Sequence, residues 1–200
     1  MSRLVARPAS LAGRASSPDI ITWASLGAIA LACAAASIAM AGGLRGALGA
    51  GLALLMLAIA VVDARRFIIP NELTLAALAL ALVQAAILDP DPATAILQAV
   101  LRGVALALVF LAIRETYVRL RGRDGLGLGD VKLAGVAGVW LGWTAIPIAV
   151  EVAALSALAL YLVRYLSGRP VRATQRIPFG LFLAPAIWIA WMFEIWIETL

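Results

Sequence analysis

Long apolar runs, broken by short polar stretches, set the pattern of this chain. The runs fall at 20–41, 44–62, 71–88, 93–113, 130–144, 145–166 and 178–198. A helix needs about 20 apolar residues to cross the hydrocarbon core of a bilayer. The pattern therefore predicts an all-α, polytopic transmembrane bundle of about seven spans. The fifth run is short enough to be tilted or half buried among its neighbours. Runs such as ALGAGLALLMLAIA, rich in Ala, Gly and Leu, predict helices packed closely through small residues. No soluble domain and no solenoid repeat breaks the sequence. The division expected is a basic cytosolic tail over 1–19 and a membrane domain over 20–200.

Composition agrees with a bilayer environment. Of the 200 residues 64% are hydrophobic and only 14% charged, with a mean hydropathy of +1.02. A soluble domain of this size leaves too much surface exposed to hide that much apolar area. The stretch 20–41 is too long for a signal-peptide core and is read as a true helix. Lys and Arg cluster in the tail, after the second span, between the fourth and fifth, and between the sixth and seventh. The opposite side keeps Arg45 and the acidic DPDP at 89–92, and Arg102 falls within a span. The positive-inside bias then places the N-terminus in the cytosol and, with seven spans, the C-terminus outside. The net charge of +5 is thus accounted for by topology in the cell's inner membrane, with the lipid bilayer as partner and no nucleic acid.

Composition also narrows the chemistry. There is no histidine and one cysteine, Cys33. A Ser-His-Asp triad, a Cys-His dyad, a CxxC zinc site and an internal disulfide are all excluded. Carboxylates remain the best candidates. Asp63 ends the second span and Asp130 opens the fifth, 67 positions later, and the topology above puts both at the cytosolic edge. Two carboxylates sharing one proton can cleave a peptide bond: one takes a proton from water while the other donates to the carbonyl or leaving amine. Their helix ends predict Asp130 as the anion and Asp63 as the protonated partner. Taken singly, Asp63 reads as a solvated interfacial residue, and Asp130 reads equally as a helix N-cap or a catalytic acid. The alternating Gly125, Gly127 and Gly129 favour a site, because glycines permit positive φ and close approach of another backbone. Arg102 and Glu151, both inside spans, are expected to pair, since unpaired charges there are costly. Glu194 and Glu198 carry no special expectation.

Several strings in order narrow the reading. Asp63 is followed by Ile69-Pro70-Asn71 and Leu73-Thr74, then by GLGLGDVKLAGVAGVWLGW at 125–143, then by Ile177-Pro178-Phe179-Gly180. Gly127-Leu128-Gly129-Asp130 matches the GxGD signature of membrane aspartic peptidases, and the whole series resembles the type IV prepilin peptidase family over roughly residues 50–190. The resemblance implies an aspartic endopeptidase with Asp63 and Asp130 as the catalytic pair, needing neither metal nor organic cofactor. It implies prepilin or pseudopilin precursors as substrates, cut at the cytosolic face to release a basic leader. Gly127 and Gly129 flank the acid. Lys132 reads either as a charge near the pair or as a snorkelling interfacial lysine. Pro70 and Asn71 look like the turn opening the third span, and Pro178 and Gly180 like a helix entry near the site. Many family members carry an N-terminal cytosolic portion with paired cysteines and methylate the new N-terminus; the resemblance does not reach that activity. Leu181 stands where the family often has a second Pro. Two rivals are a presenilin-like protease and a non-enzymatic transporter or assembly subunit. A transporter is expected to hold its carboxylates near the midplane.

Overall fold

The computed structural model describes residues 18–122, 125–167 and 178–200, with side chains from residue 23 onward. The basic residues of the tail, Arg123, Asp124, Arg169, Arg172, Arg176 and Ile177 lie outside the described residues. Seven helices follow one another among them: α1 (Pro18–Ala41), α2 (Gly43–Arg66), α3 (Asn71–Leu88), α4 (Pro92–Arg121), α5 (Leu128–Trp140), α6 (Ala145–Leu166) and α7 (Gly180–Glu198). Six are long and apolar enough to cross a membrane, and α5 is the exception. Its 13 residues reach only about 20 Å at 1.5 Å per residue, against a core of about 30 Å. The expected fifth span, 130–144, is therefore a short helix held inside the bundle. It stops at Leu141, and Gly142 begins the turn into α6.

Local chemistry sets the ends. Asp91 caps α4 by accepting the Thr94 N–H, with Pro92 supplying a first-turn residue that needs no donor. α4 closes on Gly122 in the left-handed region (φ 65°). α2 runs one turn beyond its apolar stretch and ends on Phe67, the one non-glycine with positive φ (55°) among the described residues.

Side-chain contacts between distant residues give the arrangement. Arg45, near the start of α2, holds Glu198 at the end of α7 at 2.5 and 3.1 Å. At the other end of the same pair, Asp63 of α2 accepts the Leu181 N–H of α7 at 2.9 Å. These two helices are thus antiparallel along their length. Trp23 of α1 stacks under Arg65 at 4.9 Å, placing the start of α1 at the Asp63 end. Small residues permit the contacts, as expected. A Cβ on Gly49 would enter the Trp191 ring, and one on Gly138 would lie 2.5 Å from the Arg102 carbonyl oxygen. α5 thereby presses its backbone against α4. The core runs through α2, α5 and α7, where Leu52, Met56, Ile59, Leu133, Leu183 and Ile187 are sealed from solvent.

Candidate active site

The site forms where three helix ends meet: the last turn of α2 and the first turns of α5 and α7. Asp63 is 5% exposed and Asp130 8%, a degree of burial that carboxylates rarely reach without hydrogen-bond donors. Backbone supplies them. Asp63 Oδ2 accepts the Leu181 N–H and also faces the Gly180 N–H. Asp130 Oδ2 accepts the Gly127 N–H at 3.0 Å, reaching back from the third position of α5 to its cap residue. The Gly180 N–H faces Asp130 as well. One amide therefore stands between the two acids, and the Asp63 charge bears on Asp130. The N-cap of α5 is Gly127 and not Asp130, which stands at the third position of the helix and accepts the N-cap amide.

Glycines make the room. A Cβ on Gly180 would lie 2.8 Å from Asp63 Oδ2 and 2.8 Å from Ile69 Cδ1. One on Gly129 would lie 3.1–3.3 Å from Ile69, and one on Gly127 3.2 Å from Asp130 Oδ2. Positive φ is not the reason for Gly127 and Gly129, contrary to expectation. Among the described residues only Gly42, Gly43 and Gly122 combine glycine with positive φ. Close approach is the reason in both cases.

Ile69 was not singled out as a site residue by sequence alone. Phe67 and Ile68 point outward, while Ile69 turns in, 7% exposed, and wedges between Gly129 and Gly180. The readable signal was three apolar residues crowded between Arg66 and Pro70, more than a simple turn requires. Pro70 starts α3 with extended backbone, and its carbonyl accepts both the N–H and the hydroxyl of Thr74. Lys132 reaches neither acid. Its Nζ donates to Asn71 Oδ1 at 2.8 Å, tying the exposed side of α5 to the start of α3. Pro178 and Phe179 lead into α7, and Gly180 is its first residue.

Asp130 lies in the first turn of α5, outside the six spanning helices. Burial pushes its carboxyl up to about 6; the Asp63 charge adds to the rise, and the Gly127 and Gly180 N–H groups oppose it. Burial thus opposes the helix-end argument, which made Asp130 the anion. A helix terminus contributes about 0.3–1 kcal/mol at an exposed site, and desolvation in this enclosed position outweighs it.

Two charge expectations also change. Arg102 does not pair with Glu151, which is exposed on α6; its Nε donates to the Gly138 carbonyl at 3.3 Å. Glu194 accepts the Gly142 N–H at 3.1 Å where α5 ends, and Glu198 pairs with Arg45. Both acids thus have structural partners.

A bundle of apolar helices, six of them long enough to cross a bilayer, defines a polytopic membrane protein, and two buried carboxylates meet at one end of it. The model of the type IV leader peptidase family matches residues 50–162, which include both aspartates. A prepilin leader peptidase/N-methyltransferase of Burkholderia pseudomallei (strain 1026b) is 37% identical over 155 residues, 76% of this chain and 48% of the relative. Proteins of the same description from Aeromonas salmonicida (strain A449) and Dickeya chrysanthemi are 32% and 35% identical. They cover 68% and 65% of this chain, and 45% and 44% of their own. No solved structure matches. The chain belongs to the type IV leader peptidase family, and it spans about half the length of the curated relatives it matches.

Proposed function

We propose that this chain is an aspartic endopeptidase of the inner membrane that removes the basic leader from type IV prepilin or pseudopilin precursors. The observation that carries this reading is the meeting of Asp63 and Asp130 at the Gly180 N–H, both acids buried and both at helix ends. The relatives' shared description as prepilin leader peptidases supports the substrate class.

In this reading Asp63 and Asp130 are the catalytic pair. Adjacent carboxylates cannot both ionise cheaply, so they hold one proton between them near neutrality. The ionised partner takes a proton from the attacking water as it adds to the scissile carbonyl. The protonated partner gives its proton to the developing oxyanion or the departing amine. Gly127, Gly129 and Gly180 admit backbone beside the acids, while Pro70, Asn71, Lys132 and Pro178 hold the surrounding turns. The cut falls at the cytosolic edge. The Arg65, Arg66, Arg119 and Arg121 ends of α2 and α4 share a side with the acids, as the positive-inside bias asks. A transporter would hold its acids at the midplane within broken helices, so the helix-end position favours a peptidase.

The test is leader removal from a co-expressed prepilin in membranes, comparing the unaltered chain with Asp63→Asn and Asp130→Asn. The chain should trim the precursor, and both variants should accumulate normally yet leave it uncut. Processing by either variant would make that aspartate structural.

A further inference from the structure

Arg102 lost its expected partner, and its surroundings show what replaces it. Because α5 stops about 10 Å short of crossing the core, a space remains beyond Trp140 at the end of the bundle opposite the acid pair. Apolar side chains do not fill it. It is a cavity of about 440 Å³ bounded by the start of α2, the end of α3, the first turns of α4 and the end of α7. Arg45, Gln84, Asp89, Gln98, Arg102 and Glu198 are among the residues that line it. Arg45 and Glu198 neutralise each other. Arg102 has no carboxylate within salt-bridge distance among the described residues; one Nε–H reaches the Gly138 carbonyl, and only the more distant charge of Glu194 bears on it.

A half-buried guanidinium in a membrane bundle is costly unless a negative group answers it, and its planar fork suits an oxyanion. We propose that this pit binds a phosphate-type oxyanion on Arg102, with the Gln98 amide one helical turn away as a second donor. At the end of the membrane-spanning helices, that group comes either from a phospholipid headgroup or from free phosphate. The inference concerns the end of the molecule remote from the acids and does not depend on the peptidase reading.

Two variants test it. Arg102→Gln removes the cation. Gln98→Glu places a carboxylate four residues before Arg102 on the same face, a favourable helical ion pair, so the fold is kept while the charge is answered from within. In the first arm, native mass spectrometry of gently solubilised protein reads retained phospholipid. In the second, delipidated protein is heated with sodium phosphate or with sodium chloride of equal ionic strength. A bound ligand raises the unfolding midpoint in proportion to its occupancy.

Retained phospholipid on the unaltered chain, lost in both variants, assigns the pit to a headgroup. A rise with phosphate alone, absent in both variants, assigns it to the free anion. If the unaltered chain shows neither effect, or if Gln98→Glu responds as the unaltered chain does, the proposal is wrong. Circular dichroism at low temperature separates a misfolded Arg102→Gln from a folded variant that has lost its ligand.

Discussion

Asp63 and Gly180 lie so close that a methyl group on the glycine would stand 2.8 Å from the aspartate Oδ2. The carboxylate oxygen accepts the Leu181 N–H, so swinging aside would break that bond. Gly180→Ala is therefore expected to displace Asp63 or the first turn of α7. A misplacement near 1 Å at a reacting centre costs on the order of 10²-fold in rate. Leader cleavage by Gly180→Ala should fall by at least that factor, while the protein still reaches the membrane in normal amounts. Near-normal turnover would show that the acids do not depend on the α7 amide.

Asp130 gives a stability that varies with pH, and its sign is opposite to that of a salt-bridged acid. Its folded-state value, about 6, lies above the ordinary 3.8. The stability it permits is fully present below about pH 4 and lost as pH rises through 6. Keeping the ionised form buried then costs about 3 kcal/mol at 1.36 kcal/mol per pKa unit. Asp130→Asn should raise the unfolding midpoint at pH 7.5 and leave it nearly unchanged at about pH 4. Equal effects at both pH values would argue against a desolvated carboxyl.

Phe67 closes α2 in the left-handed region, a conformation that costs a side chain about 1–2 kcal/mol. It is exposed, so little packing is lost on its removal. Phe67→Gly is expected to stabilise the purified protein by about 1 kcal/mol, offset in part by the freer unfolded chain. A lower midpoint would show that the ring makes contacts with lipid or with the chain that outweigh its backbone strain.

Glu72 is exposed in the first turn of α3, beside the Lys132–Asn71 bond and near the acids. On the proposed reading such an exposed acid would attract a basic leader; Glu115 is instead engaged with Arg114. Glu72→Lys should slow cleavage of a basic-leader substrate several-fold at low salt, and the deficit should shrink as salt screens the charge. A deficit unchanged by salt would point to a local structural effect instead.

Much of this was legible from one sequence. Helix positions followed from apolar runs, because a bilayer imposes length and composition together. The acid pair was legible because topology places the end of α2 and the start of α5 on one side. Depth and facing were not legible. Arg102 and Glu151 both read as buried charges in spans, yet periodicity does not say which face of α6 turns away from α4. Ile69 was hidden for a similar reason: its role depends on two glycines 60 and 111 positions later, and a single sequence shows no contact between them. The length of α5 was blurred because Leu141 to Thr144 extend its apolar run after the helix has ended.

The acid pair is shared among segments made far apart in time. Asp63 is synthesised 67 residues ahead of Asp130, and the amide between them arrives only with residue 180. A chain emerging into the membrane holds both aspartates long before it holds the backbone that seats them. The acid pair as built here closes only when α7 docks along α2, so a half-inserted copy carries the acids without their arrangement. If the proposed peptidase reading holds, cleavage of a precursor would report that α2, α5 and α7 have been threaded and packed together.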